Sequence, residues 1–298
     1  AEAVYPTGKL PQVTYLLARS VGKRAVVYGA EHVSFSALMT LRHAGIEPVA
    51  IVTSQPSHQS FTMLKSYATR MGRVPFYSNH TIASIEGADR VSGVWLYFPG
   101  WGAWPGSDQQ VVDASSLRDK HRRQNFIECD TVIVTGDWVA EGDLAISSGV
   151  ASSPNLGGIP EVTQTGSTSF PGVFAAGTLT RPGESAATAT RIGEKAALGI
   201  RRHLKGAASE APIHVEPASN YLRWVSPTRF AMGSPTSIHF RVDAWLERSA
   251  VALTQGGRTL DRIRFRRLVP GRTYEIAAGK WVRGIRGKTP IELEIEAE

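Results

Sequence analysis

The sequence is almost free of cysteine, and Cys129 is the only one among 298 residues. A single cysteine cannot form an intrachain disulfide or a C-x-x-C redox pair, so this chain cannot carry out disulfide chemistry by itself. Because Cys129 stands between Glu128 and Asp130 at the start of a strand, we interpret it as a packing residue. Scarce cysteine is typical of a reducing compartment, and we therefore predict a cytoplasmic protein.

The sequence also lacks the patterns of several other protein classes. No apolar run approaches the roughly 20 residues that a membrane span requires, and residues 1–20 lack the basic-then-apolar order of a signal peptide. His58, His80 and His121 are scattered without the spacing of metal ligands, so we predict no metal site. The formal net charge of +7 suits an acidic partner or an anionic cofactor, but it does not determine a fold.

What the sequence does contain begins with a βαβ pattern. Residues 25–28 and 48–53 have the composition of buried strands. Residues 33–44 have the apolar spacing of a helix, which Gly45 ends. With 42% hydrophobic and 20% charged residues, the chain can form two or three globular domains. The pattern therefore predicts a Rossmann-like nucleotide-binding domain.

The turn of this unit departs from the dinucleotide-binding pattern G-x-G-x-x-G. Gly29 supplies the first glycine, but Glu31 and Ser34 stand where the second and third glycines should be. A carboxylate about 4 Å from a phosphate costs on the order of several kcal/mol near a protein surface. We therefore predict that NAD(P) does not bind here in the usual pose, and we hypothesise that Glu31 caps its own helix in place of the phosphate.

A second strand–turn–helix pattern lies between residues 170 and 204. Residues 173–176 are predicted to form a short buried strand, and Gly177 permits a sharp turn. A long helical run then extends from Glu184 to Leu204, with Ser185 as its candidate N-cap. The N–H groups at the start of this helix would point back at the turn, where they could hold an electron-rich group.

The run Thr168–Gly177, T-S-F-P-G-V-F-A-A-G, resembles the second FAD-binding motif of the pyridine nucleotide–disulphide oxidoreductase superfamily, T-x-x-P-G-V-[FY]-A-A-G-D. In that family the closing Asp hydrogen-bonds the ribityl chain of the flavin, and the next helix points at the pyrimidine edge of the isoalloxazine. This chain has Thr178 in place of that Asp, and a hydroxyl can make the same hydrogen bond. The segment 130–138, D-T-V-I-V-T-G-D-W, is similar to the D-x-V-I-x-A-T-G segment of the same family.

The resemblance implies an FAD-dependent oxidoreductase, or a flavoprotein subunit of one, that moves hydride between a small-molecule substrate and flavin. The nearest similarity is to the flavoprotein subunits of multi-subunit amine and amino-acid dehydrogenases. The residues that it implies for FAD binding are Gly136, Asp137, Gly177, Thr178, Glu184, Ser185 and Ala186. No catalytic acid or base is identified. The alternative is a non-catalytic scaffold that keeps the fold and docks a partner.

The first half of a complete FAD domain, with its own G-x-G-x-x-G for the ADP part of the cofactor, has no counterpart in this sequence. Residues 1–20 carry a short helical pattern through Leu16 and Leu17, but no strand with a glycine-rich turn. In the family, such a segment is the crossover that leads out of the first half. We therefore expect the missing half on a longer polypeptide or on a second subunit.

The pattern changes beyond residue 220 from a period of 3.6 residues to a period of two. The alternating runs lie at 238–242, 251–253, 260–268 and 291–296. They predict a small antiparallel β-sandwich or barrel.

Strand 262–267 places three arginines on one face, which could bind nucleic acid or an acidic subunit. The simpler interpretation is a solvated face paired with the strand of Glu292, Glu294 and Glu296. Because no aromatic stacking platform accompanies the arginines, we expect no nucleic-acid partner.

The predicted fold is α/β, with a Rossmann-like three-layer nucleotide-binding domain and the C-terminal half of an FAD domain, followed by a small all-β domain. The predicted segments are a crossover at 1–21, a degenerate NAD-type domain at 22–128, the C-terminal part of the FAD domain at 129–206, a linker at 207–220 and a β domain at 221–298.

Overall fold

The computed structural model describes residues 2–70, 73–98, 123–136, 138–153, 158–206, 213–230 and 237–297. The chain forms two compact units, Ala1–Asp137 and Trp138–Glu298. Within the described ranges, no helix is both long enough and apolar enough to cross a membrane.

The first unit contains three helices and eight strands among its described residues. In chain order they are β1 (Val4–Pro6), α1 (Lys9–Pro11) with a π-helical turn (Gln12–Leu16), β2 (Arg24–Tyr28), α2 (His32–His43), β3 (Glu47–Val52), α3 (Thr62–Arg70), β4 (Phe76–Tyr77), β5 (Thr81–Glu86), β6 (Gly93–Tyr97), β7 (Arg123–Glu128) and β8 (Thr131–Val134). The predicted βαβ unit at 25–53 is confirmed by β2, α2 and β3.

A five-stranded parallel sheet forms the centre of this unit, with the strand order β1-β8-β2-β3-β4. Residues 25–27 and 50–52 have no exposed surface, as expected for parallel strands covered on both faces. Strands β5, β6 and β7 form a separate antiparallel sheet. Cys129 is 3% exposed, and its burial raises the pKa of its thiol to about 11, which confirms a packing role.

The second unit consists of a loop region and a long helix, followed by a sandwich of strands. In chain order its described elements are α4 (Asp143–Ser147), β9 (Ser152–Ser153), β10 (Ile159–Pro160), a 3-10 turn (Gly177–Leu179), α5 (Ala186–Leu204), β11 (Ile213–Pro217), β12 (Leu222–Ser226), β13 (Arg229–Phe230), β14 (Ile238–Val242), β15 (Leu246–Gln255), β16 (Arg258–Leu268), β17 (Tyr274–Ile276), α6 (Lys280–Gly284) and β18 (Ile291–Ala297).

The predicted β domain is present as two sheets that share one hydrophobic core. One sheet has the order β13-β11-β18-β15-β16, and the other has the order β12-β14-β17. The core is filled by aromatic side chains with at most 1% exposed surface, namely Trp224, Phe230, Phe240 and Trp281. The pairing is antiparallel except between β11 and β18, which are parallel.

Two segments differ from the sequence-based predictions. The second half of the predicted linker forms β11, because Ile213 and Val215 are buried in the sandwich core. The predicted buried strand at 173–176 is wrong, since Val173 is 45% exposed and the segment contributes only an isolated bridge between Phe174 and Ser167. The chain closes a tight turn there instead of joining a sheet.

The arginine-rich strand is an edge strand that pairs with acidic neighbours. Arg262 donates to Glu296 at 2.6 Å, and Arg267 donates to Glu247 at 2.7 Å. The interpretation as a solvated, ion-paired face is confirmed for the Glu296 contact. The direct neighbour of β16 in the sheet is β15, which lies between β16 and the glutamate-rich β18.

Helix α5 is the predicted long helix, and it packs on the preceding loop through its smallest residues. Ala196 and Gly199 are the buried residues of the helix. A Cβ atom on Gly199 would collide with the Thr165 carbonyl oxygen, and it would lie 2.9 Å from Thr165 Cβ and 3.1 Å from Phe174 Cε1. The helix therefore approaches the loop closely only because position 199 has no side chain.

We expect Gly199→Ala to lower the free energy of unfolding by about 1–3 kcal/mol, because a methyl group would force helix and loop apart. Gly193→Ala is the matched control, since a Cβ atom there meets nothing within 4 Å. It should raise the free energy of unfolding by about 0.5–1 kcal/mol through helix propensity. Urea unfolding followed by circular dichroism measures both, and equal effects of the two variants would contradict the close packing at Gly199.

Candidate functional site

The loop before helix α5 is shaped by hydrogen bonds of Thr168. Its hydroxyl donates to the Val173 carbonyl at 3.0 Å and accepts from the Phe170 N–H at 3.2 Å. Its own N–H donates to the same Val173 carbonyl at 3.1 Å. Gly172 completes this turn with a φ of +82°, where a side chain would be strained. These contacts explain why the motif has a threonine at position 168 and a glycine at position 172.

Gly177 and Thr178 form an exposed corner directly after this turn. Gly177 has a φ of +70°, and a Cβ atom there would meet nothing within 4 Å. The Gly177 carbonyl accepts from the N–H groups of Thr180 and Arg181, both at 3.2 Å, which fixes the 3-10 turn. Thr178 is exposed. The corner therefore presents a bare backbone and one hydroxyl to solvent.

The first turn of α5 begins at the predicted cap. The Ser185 hydroxyl accepts from the Thr188 N–H at 3.2 Å. Ser185, Ala186 and Ala187 are exposed, so the first turn of the helix is accessible to solvent. This end of the helix carries a partial positive charge.

The structure gives the remaining implied FAD-binding residues different surroundings. Glu184 is directed into the β-sandwich, where its carboxylate accepts from the Thr273 hydroxyl at 2.7 Å. Gly136 belongs to the first unit and follows β8. Asp137 lies outside the described residues. Gly177, Thr178, Ser185 and Ala186 thus share one loop–helix segment, whereas Gly136 lies on another element.

A polar network joins this segment to the sandwich. Arg241 is 8% exposed, and it donates to the Gly183 carbonyl at 2.8 Å and to the Thr273 hydroxyl at 2.9 Å. Arg181 donates to Nδ1 of His239 at 2.9 Å and to the hydroxyl of Ser226 at 3.4 Å. The loop between the Gly177 corner and α5 is therefore held by side chains of β12, β14 and the segment before β17.

His239 is a neutral acceptor in this network. Burial lowers the pKa of its imidazole to about 4, and the neighbouring Arg181 guanidinium lowers it in the same direction. The Nδ1 lone pair is therefore free at neutral pH to accept the hydrogen bond from Arg181. Burial also lowers the pKa of Arg181, while the carboxylates of Glu184 and Glu275 oppose that shift.

The crevice at the carboxyl ends of β2 and β8 is the second place where a nucleotide could bind. The strand order reverses between these strands, and ligands of open α/β sheets bind at such a point. A Cβ atom on Gly29 would collide with the Thr135 hydroxyl, so the turn after β2 lies directly against the end of β8. The Thr135 hydroxyl is in turn 2.6 Å from the Ser34 hydroxyl.

Glu31 occupies the start of helix α2 in this crevice. Glu31 and Ser34 form a capping box, in which the Ser34 hydroxyl accepts from the Glu31 N–H at 3.0 Å. One carboxylate oxygen of Glu31 lies 2.8 Å from the position that a Cβ atom of Gly136 would take. The hypothesis that Glu31 caps its own helix is confirmed. The absence of NAD(P) binding stays a prediction.

Sequence reasoning missed Arg181, His239, Arg241 and Thr273. The sequence of β14 contains one signal of a polar face. Two polar residues, His239 and Arg241, alternate there with the apolar residues Ile238, Phe240 and Val242. That pattern predicts a polar face on the strand. The partner of that face, the loop before α5, follows from tertiary packing and has no signature in the local sequence.

We expect the double variant Glu31→Gly with Ser34→Gly to bind NADH measurably, because it restores the glycines that admit a pyrophosphate and removes the repelling carboxylate. The double variant Glu31→Ala with Ser34→Ala is the control, since it removes the same side chains without restoring glycine. NADH fluorescence titration measures both. No gain in the glycine variant, with its fold intact by circular dichroism, would contradict this explanation.

Comparison with known proteins found similarity at the level of structure. No protein-family model and no curated protein matches the sequence. The thioredoxin reductase of T. acidophilum superposes with a TM-score of 0.50 and 21% identity over 69% of this chain and 58% of that chain. The thioredoxin reductase of Lactococcus lactis superposes with a TM-score of 0.51 and 13% identity over 68% of this chain and 58% of that chain.

A FAD-dependent pyridine nucleotide-disulphide oxidoreductase from Desulfovibrio vulgaris is 15% identical over 80% of this chain and 55% of that chain, with a TM-score of 0.48. The present chain thus spans less than three fifths of the length of each of these proteins, 58%, 58% and 55%. The two thioredoxin reductases show that about two thirds of this chain shares their fold.

Proposed function

We propose that the chain is an FAD-dependent oxidoreductase, or the flavoprotein subunit of one, which moves hydride between a small-molecule substrate and flavin. The observation that carries the proposal is the exposed corner at Gly177 and Thr178, followed by the capped and outward-facing first turn of α5. A backbone corner, one hydroxyl and a positive helix end can bind the polar edge of a flat ring system that becomes negatively charged when it is reduced.

The residues of this corner fit a flavin by their chemistry. Gly177 leaves open space where a side chain would stand, so a planar ring can approach the backbone. The Thr178 hydroxyl can donate to or accept from a ribityl hydroxyl. The helix end favours negative charge nearby, and so it would stabilise the reduced ring. Bound FAD would supply hydride transfer, while the chain binds and orients it.

We further propose that the ADP part of FAD is held by residues outside this sequence, on a longer polypeptide or a second subunit. The sequence contains no G-x-G-x-x-G. Helix α5 also exposes apolar side chains along its length, with Leu198 at 45%, Ile200 at 40% and Leu204 at 79%. Exposed apolar residues on one helix support a covering partner, and a nucleotide-binding half that contacts α5 would complete the cofactor site.

The capped turn of the first unit supports the proposal that NAD(P)H does not bind there and that the electron acceptor is a different molecule. Glu31 and Ser34 occupy the positions that a dinucleotide pyrophosphate would need, and both are used by the capping box. We propose that this unit retains the nucleotide-binding fold as a structural part of the protein.

The visible absorption spectrum after incubation with FAD and desalting tests the proposal. The chain is measured alone and together with any polypeptide encoded beside it that carries a glycine-rich half of an FAD domain. We expect flavin bands to be retained only with both present. Bands retained by this chain alone would contradict the split site, and no bands in either case would contradict the flavoprotein and favour the scaffold.

Thr178→Val should weaken FAD binding about fivefold, because it removes one hydrogen bond worth about 1 kcal/mol. Thr178→Ser keeps the hydroxyl and should bind within about twofold of the wild type. The side chain is exposed, so neither change disturbs the core. Flavin fluorescence titration provides the affinities. Equal weakening by Val and Ser would show that the hydroxyl does not contact the cofactor.

A further inference from the structure

We propose that Thr273, Arg241 and Arg181 are positioning residues, through which the β-sandwich sets the orientation of the flavin-facing end of α5. The inference rests on the proposed function and names a role for the sandwich within it. The contacts that carry it all lie in the second unit. They join residues separated by 32 to 89 positions in the sequence.

The first contact chain runs through Thr273. Arg241 donates from Nε to the Thr273 hydroxyl at 2.9 Å, and that hydroxyl donates in turn to Glu184 Oε1 at 2.7 Å. The Thr273 hydroxyl thus accepts one hydrogen bond and donates another, and so it links Arg241 to Glu184. Glu184 directly precedes the N-cap Ser185, so this line ends one residue before the N-cap.

The second contact of Arg241 holds the backbone. Its Nη2 donates to the Gly183 carbonyl at 2.8 Å. Gly183 has a φ of +77°, and a Cβ atom there would collide with Arg241 and lie 2.9 Å from the Trp138 ring. The Gly183 backbone therefore lies directly against the Arg241 guanidinium, with no room for a side chain. A small displacement of Arg241 would move this backbone.

Arg181 provides a separate contact at the other end of the same loop. It donates to His239 at 2.9 Å and to Ser226 at 3.4 Å, and it directly follows the 3-10 turn of Gly177. The loop between the Gly177 corner and the N-cap is thus held at 181, 183 and 184. The two features that face the proposed flavin cannot move relative to each other without breaking one of these bonds.

Carboxylates lie near the buried cation of the network. Glu184 and Glu275 oppose the lowering of the pKa of Arg181 by burial, and His239 is neutral because burial lowers its pKa to about 4. Hydrogen bonds between charged groups are stronger and more directional than those between neutral groups. Such a network fixes geometry, and a cofactor site requires supporting residues that hold it to within about 0.5 Å.

Thr273→Val tests the inference, because valine keeps the shape but breaks the line between Arg241 and Glu184. We expect it to weaken FAD binding about five- to tenfold and to change the reduction potential of the bound flavin. Thr273→Ser should restore both values. The readouts use the full chain, with the glycine-rich polypeptide if FAD retention requires it.

Thr254→Val is the matched control, because it also removes a bond from a threonine hydroxyl to a glutamate. Thr254 donates to Glu292 at 3.1 Å on the exposed face of the other sheet. It should leave affinity and potential unchanged. A merely structural role for Thr273 would lower the thermal stability of Thr273→Val without altering the potential.

The inference is overturned if Thr273→Val binds FAD with unchanged affinity and potential while the wild type retains flavin. It is also overturned if serine fails to restore the wild-type values. Failure of the wild type to retain FAD in either form contradicts the proposed function instead, and the two results are therefore distinguishable.

Discussion

The close approach of helix α5 to the loop that precedes it is the constraint on which the rest of the second unit depends. Gly199 allows the helix to contact Thr165 and Phe174, and Gly166 allows the loop to fold back on itself at the Ala175 carbonyl. These contacts fix the axis of the helix. Once the axis is fixed, the direction of the first helical turn and its partial charge are fixed with it.

The packing of Gly199 near the C-terminal end of α5 does not determine the conformation of the loop before its N-terminal end. The segment 177–185 buries only two of its side chains, Thr180 and Pro182. The sandwich supplies what the loop lacks, since Arg241 and His239 of β14 and Thr273 before β17 provide directional contacts. The β unit therefore acts as a support for the proposed flavin corner, and not only as a separate domain.

The first unit illustrates the opposite outcome for a similar strand–turn–helix element. Its helix α2 also starts at the edge of a nucleotide-binding fold, but Glu31 and Ser34 satisfy the N–H groups that a phosphate would otherwise contact. The Thr135 hydroxyl closes the crevice from β8. The two helix starts thus differ in the group that caps them, because a carboxylate caps α2, whereas a neutral serine hydroxyl caps α5 and its exposed first turn lies after the open Gly177 corner.

Much of this arrangement could be predicted from local patterns. The βαβ unit, the long helix with its Ser185 cap, the Glu31 cap and the alternating strands after 237 all follow from periodicity and capping residues. The apolar residues 173–176 favour a strand by composition, yet the hydrogen bonds of Thr168 close a turn there. Strand β11 and the Arg241 network could not be predicted, since both depend on partners that are distant in the sequence.

Hydrogen exchange with and without FAD, on the full chain together with the glycine-rich polypeptide, tests the central claim most directly. The account predicts slower exchange at residues 177–188 when FAD is present, and unchanged exchange at residues 29–36, where the capping box replaces the phosphate. Protection at 29–36 without protection at 177–188 would contradict the account, because it would place the cofactor at the turn of the first unit.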